Sequence, residues 1–165
     1  MVESDEEYER LATEVLEMVR SETADVMARG LAAIEFDPGA GDETAKISLR
    51  PTNEAAAALM VEIYGDGLMC LHVGDHAAEW EEWLDNRGEL LGKARDWVRA
   101  VVSGRYRESV RRPKGARPPD LIAEVDLPDG THDLTRGLVA SLAGARGSGW
   151  ESRIYAAYDP TDETA

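Results

Sequence analysis

Residues Ala57 to Gly104 constrain the fold more than any other stretch of this chain. They open with AALMVEIYGDGLMCLHV, two alternating runs around a Gly65-Asp66-Gly67 turn, which is the pattern of a β-hairpin. Leu59, Val61 and Ile63 alternate with Met60, Glu62 and Tyr64, and Met69, Leu71 and Val73 alternate with Leu68, Cys70 and His72. Both faces are rich in apolar groups, so the two strands are expected in the interior of a sheet that is covered on both sides. The remainder, EWEEWLDNRGELLGKARDWVRAVVSG, reads as one long helix from about Ala78 to Val102. Trp80, Trp83, Leu84, Leu90, Leu91, Ala94, Trp97, Val98 and Val101 recur on one helical face. Such a tryptophan stripe is core in the simpler account and the wall of a ligand pocket in the sharper one.

The other segments fit around this pair. Glu3 to Arg29 has Tyr8, Leu11, Ala12, Val15, Leu16, Val19, Thr23 and Val26 at three- and four-residue steps, an amphipathic helix with Ser4 as its expected cap and Gly30 as its stop. Leu31 to Phe36 and Ala45 to Arg50 read as strands joined by DPGAGDET, a run of turn formers. The acids in that loop lack the alternation of a calcium loop. Arg105 to Arg111 and Leu121 to Leu127 read as further strands, separated by the proline-rich RRPKGARPPD. Leu134, Leu138 and Leu142 suggest a short helix, and Trp150 to Tyr158 a final strand.

The expected fold is therefore α+β. It is an antiparallel sheet of about five to seven strands with two long helices packed on one face, in one domain over residues 1–158 with a disordered tail over 159–165. A chain of 165 residues is long enough for a core of its own, and 43% hydrophobic residues exclude a disordered composition. No apolar run approaches a membrane span, and MVESDEEYER lacks the basic and apolar regions of a signal peptide, so a cytoplasmic location is expected.

Charge sets further bounds. The net charge of −15 repels nucleic acid and anionic membranes and favours a basic partner, good solubility or a salty cytoplasm. Three lysines stand against fifteen arginines. The single cysteine, Cys70, rules out an internal disulfide and any zinc site built from several thiolates.

Two groups of residues are candidates for chemistry. Arg105, Arg107 and Arg111 alternate along one strand and, with Trp80, Trp83 and Trp97, would make a site for a carboxylate, phosphate or acidic peptide. The plainer account has these arginines neutralising the protein's own acids. His72, Asp75, His76 and Glu79 lie in HVGDHAAE, which resembles the H-x-x-E-H pattern of inverted zinc peptidases with Asp75 in place of the glutamate. That resemblance implies a metal held by this set, although Gly74 separates His72 from any helix carrying His76. No nucleophile elbow or phosphate loop accompanies either group, and no cofactor or catalytic residue is assigned.

In size, charge and order of elements the chain resembles type III secretion chaperones and toxin-immunity proteins. The expected function is a non-catalytic protein-interaction factor of chaperone, immunity or adaptor kind that binds another protein or itself as a homodimer. The alternative is a binding module or enzyme for an anionic small molecule.

Overall fold

The computed structural model describes residues 5–39, 44–75, 78–83, 87–111, 120–136 and 150–161. The chain starts with α1 (Asp5–Glu22) and α2 (Ala24–Ala28). Leu11, Val15 and Val19 of α1 are fully buried, as the apolar stripe requires. Thr23 separates the two helices and donates its hydroxyl back to the Val19 carbonyl at 2.7 Å. At Gly30 the backbone turns into the left-handed region, φ 69°, and Leu31 N–H reaches back to the Val26 carbonyl. The expected cap, Ser4, lies outside the described residues.

Five strands follow before the next helix. They are β1 (Ala32–Asp37), β2 (Ala45–Pro51), β3 (Leu59–Ile63), β4 (Leu68–Val73) and β5 (Ala78–Trp83). Each pairs antiparallel with the next, giving the order β1-β2-β3-β4-β5. The hairpin of β3 and β4 is thus in the interior of the sheet. On one face of it Ile47, Leu49, Val61, Ile63, Met69 and Leu71 are all buried to within a few percent. The opposite face carries Lys46, Ser48, Met60, Glu62, Cys70 and His72.

Helix α3 (Arg87–Val102) leads to a second sheet. Its strands are β6 (Tyr106–Arg111), β7 (Asp120–Leu127), β8 (Gly130–Arg136) and β9 (Trp150–Ile154), in the order β8-β7-β6-β9. The α+β class and the antiparallel pairing stand. The single sheet of about five to seven strands does not: the chain forms a sheet of five and a sheet of four. The physical reason is α3, which carries the chain away from the meander, so that β6 pairs with the later strands β7 and β9 rather than with β5.

The long helix expected from about Ala78 also begins later. Residues 78–83 form β5, paired to β4 in the register Leu71 to Trp80 and His72 to Glu79. AEWEEW satisfies helical spacing through Trp80 and Trp83, but the apolar edge of β4 was available to pair with it, and pairing satisfies its backbone. The helix that remains, from Arg87, buries Leu90, Ala94, Trp97, Val98 and Val101. At Gly92, a β-carbon would meet nothing within 4 Å, so that glycine marks no close approach. The short helix expected around Leu134 to Leu142 is replaced by β8 as far as Arg136, and the remainder lies outside the described residues.

α1 packs against α3, and α3 against β7, while β5 abuts β7 and β8. One hydrophobic cluster runs through α1, α3 and both sheets. The chain after β9 stitches the sheets together. Ala156 forms an isolated parallel bridge with Ala56, and the buried Tyr158 donates its hydroxyl to the Ala57 carbonyl at 2.6 Å. Asp159, the first residue of the expected tail, pairs with Arg29. No helix among the described residues is long and apolar enough to cross a membrane.

Candidate functional site

β1 ends the five-stranded sheet. It pairs with β2 on one side, from Ala32 opposite Pro51 to Asp37 opposite Lys46, and no described strand lies along its other side. Ile34 and Phe36 share the face of Leu49 and Ile47, their register partners. Toward the end of β1 this face is incompletely covered, and Phe36 remains 38% exposed. A groove of about 300 Å³ opens there, between the strand and α1. Tyr8, Glu9, Ala12 and Thr13 form its helical wall, with Phe36 and Pro38 opposite.

The groove mixes apolar groups (Ala12, Phe36 and Pro38) with the polar Thr13 and the carboxylate of Glu9. Tyr8 is buried and its hydroxyl accepts a hydrogen bond from Ala45 N–H, which ties α1 to the start of β2. Burial raises the Tyr8 phenol, the Ala45 hydrogen bond opposes that shift, and the nearby Asp37 carboxylate adds to it. The phenol therefore stays neutral. Glu9 is exposed on the helix, and Asp37 closes the strand with its carboxylate accepting Gly39 N–H at 3.1 Å.

Two polar clusters lie elsewhere. On the non-core face of the first sheet, Glu62 takes Lys46 Nζ at 3.1 Å, His72 Nε2 at 2.9 Å and the Tyr64 hydroxyl at 3.0 Å. Burial alone would raise the Glu62 carboxyl, but these three partners outweigh it and hold it below the usual carboxylate range. Between the sheets, the buried Glu108 lies 2.7 Å from the Tyr106 hydroxyl through Oε1 and accepts the Tyr155 hydroxyl at 2.8 Å through Oε2. Tyr155 in turn accepts Asp75 N–H at 3.0 Å, and the Tyr106 hydroxyl lies 3.1 Å from the Val73 carbonyl. Burial pushes both phenols well above their ordinary value, and Glu108 reinforces it, so both keep their protons. The two phenols on one shared Glu108 hold the sheets together.

The residues singled out from sequence fall into separate places. Trp80 lies on β5 and stacks on Trp97 of α3, with ring centroids 6.0 Å apart at 28°, and Trp97 is only 2% exposed. Trp83 is the last residue of β5. Arg107 makes a two-point contact with Glu124 at 2.7 and 2.9 Å, and Arg111 grips Asp120 at 2.9 and 2.5 Å. Arg111 also lies over the Trp150 ring at 5.3 Å. Arg105 precedes β6, and its carbonyl accepts Asp126 N–H. Of the metal candidates, His72 is turned to Glu62, Asp75 pairs with Arg153, and Glu79 stands beside Cys70 and Glu81. His76 lies outside the described residues.

The groove residues were not singled out from sequence, except as members of a helix and a strand. The available signal was Phe36, the only phenylalanine of the chain, at the end of a strand and just before Asp37-Pro38-Gly39. Comparison with protein-family models, with curated proteins and with solved structures finds no match.

Proposed function

We propose that the chain is a non-catalytic interaction factor that receives an extended segment of a partner protein along β1. The carrying observation is the coincidence of an edge strand, with no described strand along its outer side, and a groove at its end, with Phe36 part-exposed between them. Strand addition supplies affinity through main-chain hydrogen bonds, while a pocket beside the edge selects alternate side chains. The segment best suited alternates apolar with basic residues. Its apolar group enters beside Phe36, and its cations meet Glu9, Asp37 and the overall charge of −15. A second copy of the chain is the competing occupant, and it would bring the same negative charge to the contact.

The alternative, an anionic-ligand site, draws less support because Arg107 and Arg111 are already engaged by Glu124 and Asp120. Fluorescence anisotropy with two labelled probes separates the readings: a peptide of alternating lysine and valine, and one of alternating glutamate and valine. The lysine peptide is expected to bind, more weakly as salt rises, and the glutamate peptide is not. Phe36→Asp adds a negative charge, so attraction by charge alone would survive it, whereas binding in the groove is lost. Equal binding of the two peptides, or unchanged binding to Phe36→Asp, would falsify the proposal.

A further inference from the structure

β5 exposes a second arrangement, on the face of the first sheet away from the core. Glu79 and Glu81 are two residues apart on one strand and therefore project to the same side. Cys70 of β4 is the register partner of Glu81. Direct cross-strand partners hold their β-carbons close, so three donors converge: Cys70 Sγ and one carboxylate oxygen from each glutamate all lie within 4.8 Å of one another. Two alternate residues of a strand and one from its neighbour form a triangle that can face a single ion.

The chemistry around these atoms is unbalanced in a way that the neighbouring cluster is not. Glu62, on the same face, has Lys46, His72 and Tyr64. Glu79 and Glu81 have no basic partner among the described residues. Cys70 is only 2% exposed, and its thiol, directed at the two carboxylates, has no hydrogen-bond partner among those residues. A buried polar group is ordinarily partnered, and two like charges at this separation repel. A cation answers both conditions.

We infer that Cys70, Glu79 and Glu81 form a binding site for one borderline divalent cation of the zinc class, with water completing the coordination. One thiolate with two carboxylates selects against magnesium and calcium, which take oxygen ligands alone. Binding replaces the thiol proton: the S–H bond breaks, the sulfur pair goes to the metal, and one proton leaves to solvent. The Glu79 and Glu81 carboxylates attract a dication.

The test is titration of the full chain, purified without a histidine tag, with Cd²⁺ and with Zn²⁺ in competition. Thiolate-to-metal charge transfer in the ultraviolet reads the Cys70 bond directly. One equivalent is expected to bind with release of one proton, Zn²⁺ competes and Mg²⁺ does not. Cys70→Ser removes the charge-transfer band. Glu81→Gln, at an exposed position, keeps the fold and weakens binding by more than the roughly tenfold that loss of an outer-shell partner costs. Absence of the band in the natural chain, its survival in Cys70→Ser, or unchanged affinity in Glu81→Gln overturns the site. Peptide binding at β1 is independent of the outcome.

Discussion

Glu108 packs directly over Gly74: a β-carbon at Gly74 would stand 2.9 Å from Glu108 Cδ, and at the same distance from Tyr106 Cε1. Gly74 also has φ 75°, a conformation that L side chains avoid. Gly30 shares that backbone, φ 69°, but nothing lies within 4 Å of its missing side chain. Gly30→Ala is therefore expected to cost about 1–2 kcal/mol, the backbone term alone. Gly74→Ala adds displacement of a buried carboxylate and is expected to cost about 3 kcal/mol or more. Urea unfolding of the two variants checks this, and equal losses would count against the packing described.

Tyr155→Phe tests the latch between the sheets. The hydroxyl donates to Glu108 and accepts from Asp75 N–H, at a residue only 1% exposed. Its removal leaves both groups without that partner, at an expected cost of about 1–3 kcal/mol. Thermal unfolding followed by near-ultraviolet circular dichroism reads the loss. A variant as stable as the natural chain would contradict the arrangement.

The Glu62 cluster predicts a specific acid dependence. Its carboxyl is lowered on folding, so it contributes stability that is fully present above the unfolded value and lost as pH falls through the folded value. Glu62→Gln should therefore be less stable than the natural chain at neutral pH. The gap should narrow as the solution is acidified below the ordinary glutamate range. Melting temperatures of both proteins across that range decide it; a gap independent of pH is the contrary result.

Trp97 fills the space between α3 and β5 against Trp80. Trp97→Ala is expected to cost about 3–5 kcal/mol, as large-to-small changes of buried aromatics do. Denaturant unfolding measures it. A loss under about 1 kcal/mol would return these rings to the role of an open pocket wall.

Much of the fold was legible in the sequence because its signals were local. Alternation from Leu59 to Val73 around Gly65-Asp66-Gly67 specified an interior hairpin, and the stripe from Tyr8 to Val26 specified a first helix, though not its break at Thr23. AEWEEW was ambiguous, because Trp80 and Trp83 satisfy a helical period while Glu79, Trp80 and Glu81 satisfy a strand period. The β4 edge resolved that ambiguity, and no local pattern records an edge. The division into two sheets was hidden for the same reason, since the pairing of β6 with β9 joins residues as distant in sequence as Arg107 and Ile154.

The candidate sites were legible in part. The basic run from Arg105 to Arg111 was visible, but its partners Asp120 and Glu124 lie on the neighbouring strand and appear only once β6 and β7 pair. HVGDHAAE drew attention to His72 and Glu79. Pairing of β4 with β5 instead set Cys70 opposite Glu81 and left His72 to Glu62. The groove beside Phe36 required α1 and β1 to meet across the core, which no spacing in the sequence expresses.

Hydrogen exchange along β1, with and without the alternating lysine–valine peptide, tests the central claim most directly. Strand addition predicts slowed exchange at the β1 amides that point away from β2, with β3 and β4 unchanged, and loss of that protection in Phe36→Asp. Binding of the peptide with unaltered exchange across residues 32–37 would contradict it.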